Sequence, residues 1–159
     1  VSLDTGAILA ELRTEAKRLG KFDKVRGHEA KNPPGIKLSL DQWVRLCRPI
    51  PNRGGLATTT ALLVVDLRIY NSMTAKPEDD IDPTVCAAAD AIVDGLNGNF
   101  TLGGLVSNVD IKNAHGGGFL GWTMGYIRMG SPGNVREYRA AVVTVPMVIN
   151  DAWAQAATR

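Results

Sequence analysis

One alternating run in this sequence is too long for the body that its chain can form. A folded chain of 159 residues has a radius of gyration of about 15 Å, hence a diameter of roughly 40 Å. From Leu56 to Met73 the residues Ala61, Leu63, Val65, Leu67 and Ile69 share one face, and Thr58, Thr60, Asp66, Arg68 and Tyr70 the other. That is the period of a strand. Some eighteen extended residues at ~3.3 Å each reach about 59 Å. The strand must bend sharply or leave the body, and a paired-strand arm outside its own core needs a partner chain over its apolar residues. We therefore expect an oligomer. Leu62 and Val64 spoil the polarity of the second face near its centre, which predicts cover on both sides there.

The remaining segments fall around this strand. Ile8, Leu9, Leu12, Ala16 and Leu19 recur at helical spacing, with Asp4 or Thr5 as cap and Gly20 as stop. Phe22 to Glu29 reads as a short strand that Asn32-Pro33-Pro34-Gly35 breaks. From Ile36 to Ile50 the apolar Leu38, Leu40, Val44, Leu46 and Ile50 all hold even positions, predicting one half-buried face. Asn52-Arg53-Gly54-Gly55 turns that strand back on the next. Asp82-Pro83 reads as a cap followed by the first helical residue of a second helix, which carries Val85, Ala88, Ala89, Ile92, Val93 and Leu96 inward. Three further strands are expected at about Phe100–Asn113, Phe119–Met129 and Val135–Ile149, the last two joined through Pro132-Gly133 as a type II turn. The order predicts one domain over residues 1–159, an α+β fold. It has a mainly antiparallel sheet, two helices on one face and a protruding strand-pair arm.

Composition names a class and no function. A net charge of +2 is too small to announce nucleic acid or an anionic membrane, and no apolar run approaches the ~18–20 residues that cross a bilayer. The N-terminus carries no basic-then-apolar export signal. Cys47 and Cys86 have apolar neighbours and no metal spacing, so we read both as small core residues in a reducing cytoplasm.

The candidate chemistry is thin. His28-Glu29 has the residue types of an acid–base pair but reads as a strand end at the surface. His115-Gly116-Gly117-Gly118 resembles an oxyanion loop without the nucleophile elbow that would need it. Glu78, Asp79, Asp80 and Asp82 lack the spacing of a calcium loop and are explained by a helix N-terminus. Arg45, Arg48 and Arg53 flank the first hairpin, where arginine suits a phosphate backbone or a protein partner. Trp43, Trp122 and Trp153 near strand or chain ends suit interface anchors.

Several segments, in order, resemble the tail terminator proteins of long-tailed phages that infect actinobacteria. They are Gly27-His28-Glu29 to Pro33, Arg48-Pro49-Ile50-Pro51 with Gly55-Leu56-Ala57-Thr58-Thr59, and Val65-Asp66-Leu67-Arg68-Ile69-Tyr70. Ile81-Asp82-Pro83, Phe100-Thr101-Leu102-Gly103-Gly104, Asn108-Val109-Asp110 and Val145-Pro146 to Asp151 continue the likeness over nearly the whole chain. The resemblance implies a ring, typically a hexamer, that sits on the last ring of the tail tube, stops its growth and meets the head-side connector. It implies no catalysis and no cofactor, and the residues themselves point to no metal. DNA passes through such a ring without sequence readout, and no membrane is involved.

The contact surfaces are our inference. We place them at the arm from Arg48 to Leu56 with Arg45 and Arg53, at the glycine-rich loop with His115, Phe119 and Trp122, and at the turn with Pro132 and Arg136. The alternatives are a head–tail stopper or other neck connector, separated by its binding partner, and a small cytoplasmic α+β enzyme or ligand-binding module using His28, Glu29 and the acidic loop.

Overall fold

The computed structural model describes residues 3–30, 35, 37–51 and 58–154. Helix α1 (Thr5–Arg18) starts where the Asp4 carboxylate accepts the Ala7 N–H, and it ends before Gly20 at φ +66°. Strands β1 (Lys24–Arg26), β2 (Ser39–Ile50) and β3 (Thr58–Ser72) follow, then helix α2 (Ile81–Gly98), the two-residue strand β4 (Asn108–Val109), β5 (Gly121–Ser131) and β6 (Asn134–Ala154). They form one six-stranded sheet in the order β1-β2-β3-β6, with β5 and β4 sharing the outer side of β6. Only β1 is parallel to its neighbour. The fold is α+β with a mainly antiparallel sheet, as expected.

Both helices lie on one face. Ala61, Leu63, Val65, Leu67 and Ile69 of β3 pair across with Ile149, Met147, Val145, Val143 and Ala141 of β6. This apolar floor is closed off from water by Ile8, Leu12 and Ala16 of α1 and by Val85, Ala88, Ala89, Ile92 and Leu96 of α2. Among the described residues of the run read from Leu56–Met73, the alternation along β3 is the one observed, and Leu62 and Val64 are indeed buried on the opposite face.

Four readings need correction. The even-position pattern of β2 does not hold along its length, because a bulge between Val44 and Leu46 adds one residue and reverses the facing of everything after it. Leu46, Arg48 and Ile50 lie opposite Val64, Leu62 and Thr60, on the face away from the helices. Cys47, opposite Leu63 on an outer strand edge beyond helix cover, is exposed, not in the core; Cys86 is half-buried, and neither is disulfide-bonded. Phe100–Asn113 is not a strand. Leu102, Gly103 and Gly104 take successive positive φ values and a short 3-10 turn forms, so only Asn108–Val109 joins the sheet. Asp82 does not cap α2, since a 3-10 turn at Glu78–Asp80 runs straight into the helix at Ile81. Its carboxylate instead takes Arg139 Nε at 2.8 Å.

The long strands are accommodated by bulges and by projection. β6 skips register opposite Thr60, where Asp151 sits at φ +56°. At its other end β6 leaves β3 after Tyr138, and only β5 accompanies it to the Pro132-Gly133 turn. Gly133 at φ +84° fits the type II turn read from the sequence. The projecting two-stranded ribbon is therefore the β5–β6 tip. Where an arm was expected, at Arg48–Leu56, the β2–β3 pair is joined by β6 into three strands; residues 52–57, with Arg53, Leu56 and the Asn52–Gly55 turn, lie outside the described residues, as do Asn32-Pro33-Pro34 and Ile36.

Candidate functional site

The sheet face away from the helices is covered by loops. Its row of side chains along β3 is Thr60, Leu62, Val64, Asp66, Arg68 and Tyr70. At one end Leu62, Val64, Ile50 and Val148 make a small apolar cluster, and the glycine-rich loop lies on it. Asp110, almost fully buried, organises that loop by accepting the N–H groups of Ala114 and His115 at 2.9 and 3.0 Å. The Asn113 side chain accepts the Gly118 N–H at 3.0 Å. At Gly117 a β-carbon would stand 2.9 Å from Leu62 Cδ2 and 3.0 Å from Val64 Cγ2, so the backbone approaches closer than any other residue allows.

Two of the predicted arginines hold this roof down. Arg48 Nη2 donates to the His115 carbonyl at 2.7 Å, and Arg45 Nη2 to the Gly117 carbonyl at 3.3 Å, while Arg45 Nε lies 3.6 Å from Asp66. Arg45, Arg48 and His115 thus come together, as parts of one loop anchorage. Phe119 follows the loop and is 65% exposed. Trp122 turns to the other face, where its Nε1–H donates to Asp90 of α2 at 2.8 Å. Pro132 and Arg136 are exposed on the projecting tip, apart from the other candidates.

At the opposite end of the same face Tyr70 and Tyr138 pack edge to face, 6.2 Å between centroids, with Ala30, Ile127 and Met129 against them. Burial pushes the Tyr70 hydroxyl up to about 12, against the opposing pull of the Arg68 hydrogen bond. Beside it the fully buried Asp41 receives Arg26 Nε at 2.7 Å and Nη2 at 3.4 Å. Arg68 stacks on Trp43 at 4.5 Å and reaches Glu29 at 3.4 Å. Sequence reasoning passed over the Arg26–Asp41 pair; its one signal was Asp41 as the single acidic residue of β2.

Between the two covered ends the face is open. A trough of about 460 Å³ runs over Gly121, Thr123, Val142 and Thr144, walled by Arg45 and Phe119. A second, of about 210 Å³, continues over Gly125, Ile127, Ala140 and Arg68. Their floor is small side chains, which suits an extended segment of chain. The gap between α1 and α2 is only about 10 Å³.

The other candidates stay apart. His28 Nδ1 sits 2.9 Å from the Glu29 carbonyl while the Glu29 carboxylate turns to Arg68, so the two do not form an acid–base pair. Glu78 pairs with Lys76, Asp82 with Arg139. Among the described residues no three His, Cys, Asp or Glu side chains are grouped to hold a metal, and no helix is long and apolar enough to cross a membrane. No known family model matches the chain, and no curated protein matches it.

Proposed function

We propose that this chain is a structural virion protein: a ring that caps the tail tube of a long-tailed phage, ends tube growth and gives the head-side connector a surface at the tail–neck junction. The observation that carries this reading is where the chain leaves large apolar side chains in water. Val44 and Leu46 on β2, Phe119 before β5, Tyr126 within it, Val135 at the hairpin tip and Trp153 near the end of β6 are all exposed. All but Phe119, which ends the loop before β5, lie on strand edges, ends or tips, where a neighbouring chain covers them, and the ordered likeness to tail terminators supplies the kind of neighbour.

Termination in this reading is geometric. A head-to-tail interface repeated by rotation closes on itself and makes a finite ring. One side of that ring matches the tube's last layer; the other does not, so no further tube subunit adds. DNA crosses the lumen with contacts to its backbone at most. The experiment is tube assembly in vitro from purified tube protein, with lengths measured by negative-stain microscopy. Added protein is expected to shorten and narrow the length distribution and to appear as a ring at one tube end; unchanged lengths with no bound ring overturn the reading.

A further inference from the structure

We infer that copies of this chain join edge to edge, the outer edge of β5 in one copy pairing antiparallel with the outer edge of β2 in the next. This rests on the homo-oligomeric part of the proposed function and names its interface.

Both ends of the sheet are unfinished among the described residues. β5 pairs on one side only, with β6. β2 pairs with β3 on one side, and β1 covers its other side only at Ser39–Asp41. Each leaves a row of main-chain donors and acceptors, interrupted on β2 at Pro49, which has no N–H, and such a row is a template for another strand. Edges meant to stay in water are kept short or carry lysine, proline or inward charge. The β5 edge has none of these along Gly121–Ile127 and puts Tyr126 62% into solvent.

Strand direction selects the partner. β2 and β6 run one way, β3 and β5 the other. An identically oriented copy placed beside β5 therefore presents its β2 antiparallel to it, and the step repeats around an axis as a ring requires. Pairing β5 with a second β5 would invert the copy and close a two-fold dimer instead.

The bulge fixes a register. Gly121–Arg128 faces the neighbour's Gln42–Ile50, which is one residue longer, and the bulged Arg45 takes up the difference. On the helix side Trp122, Met124 and Tyr126 meet Pro49, Cys47 and Val44. On the loop side Gly121, Thr123, Gly125 and Ile127 meet Ile50, Arg48, Leu46 and Trp43. Every pair then joins side chains of the same face, the exposed Val44, Leu46 and Tyr126 become covered, and no like charges stand opposite each other. Pairing stops at Gln42, where the neighbour's own β1 begins.

Cys47, exposed on this edge, is a built-in probe. Directly opposed antiparallel residues have Cα atoms about 4.5–5.5 Å apart, within the ~4.4–6.8 Å that a disulfide spans. Full-length Met124→Cys in a Cys86→Ser background is expected, under mild copper–phenanthroline oxidation, to give a ladder of covalent multimers on a non-reducing gel. Adding Cys47→Ser should abolish it. Independently, Thr123→Lys sets a cation opposite Arg48 and is expected to raise the protein concentration needed for assembly about tenfold, while Thr123→Glu does not; Thr123 is exposed, so folding is preserved. An assembly seen by light scattering that gives neither the ladder nor a Lys/Glu difference overturns this pairing and leaves the ring standing. A protein that stays monomeric at every concentration overturns both.

Discussion

The two faces of the central sheet are buried by different means. On the helix face, the buried side chains of α1 and α2 are aliphatic, the polar links of α2 to Trp122 and Arg139 lie at the exposed margin, and the floor from Ala61 to Ile69 is packed without a polar group apart from Gln42. On the other face the cover is irregular chain, and an irregular backbone brings unpaired carbonyls that must find donors. Arg45 and Arg48 meet that need from β2, while the loop's own Asp110 and Asn113 side chains accept its N–H groups. The helix face therefore resists change through packing. The loop face is tethered by a few polar links, the arrangement of a surface that can open locally.

The sharpest way to break this contrast is to remove the cation from a carboxylate that is fully buried. Asp41 has no exposure, and Arg26 is its cation. Arg26→Ala strands a buried carboxylate and is expected to cost about 3–5 kcal/mol in urea denaturation. The double change Arg26→Met with Asp41→Leu should recover most of that loss. A single variant as stable as the parent would mean that water reaches Asp41 and that the face is looser than its packing indicates.

Next comes a pair of equal truncations. Leu67 on the helix face and Leu62 on the loop face are both buried. Leu67→Ala leaves a cavity between rigid elements and is expected to cost about 3–5 kcal/mol, whereas the loop over Leu62 can settle, lowering that cost to about 2–3 kcal/mol. Equal losses would show the loop to be as rigid as the helices.

The third test uses pH. The Tyr70 hydroxyl is raised from 10.0 to about 12, so the folded state holds its proton more tightly than the unfolded one. Its contribution is complete below pH 10 and is lost as pH rises from 10 to about 12. At 1.36 kcal/mol per pKa unit the full loss is about 3 kcal/mol. Tyr70→Phe should flatten that limb of the stability–pH curve. An identical alkaline slope in the variant would assign the loss to other groups.

The same contrast separates what the sequence discloses from what it hides. Periodicity reports burial by regular elements, so Leu63, Val65 and Leu67 and the apolar stripes of both helices were legible, and so was the need for cover over Leu62 and Val64. What covers them was not, because a loop has no period: His115-Gly116-Gly117-Gly118 reads as a generic flexible stretch until Gly117 is seen against Leu62 and Val64. Arg45 and Arg48 were found as candidates for a partner, and their described hydrogen bonds go to the chain's own loop. The bulge at Arg45 left a faint trace, since Gln42 and Arg48 interrupt the even-position apolar pattern of β2. A one-residue slip moves every later side chain to the other face, which is why Leu46 and Ile50 were misplaced together. The unpaired edges of β2 and β5 depend on sheet order, and strand order is not written in strand pattern.

The smallest effect tests the tether itself. Arg48 reaches the His115 carbonyl from an exposed position, and an exposed hydrogen bond from a charged donor is worth little, so Arg48→Ala is expected to lower global stability by only about 0.5–1.5 kcal/mol. The loop should feel it more than the fold does. If the roof opens locally while the sheet stays intact, amide exchange at Ala114–Gly118 speeds up with no change in β3 or β6, because the Asp110 bonds to Ala114 and His115 then hold one end alone. Exchange that accelerates equally in β3 would show that loop and sheet open as one unit, and would remove the distinction between a packed face and a tethered one. Exchange unchanged everywhere would show that Arg45, Asp110 and Asn113 suffice, leaving Arg48 free to turn toward a neighbouring chain.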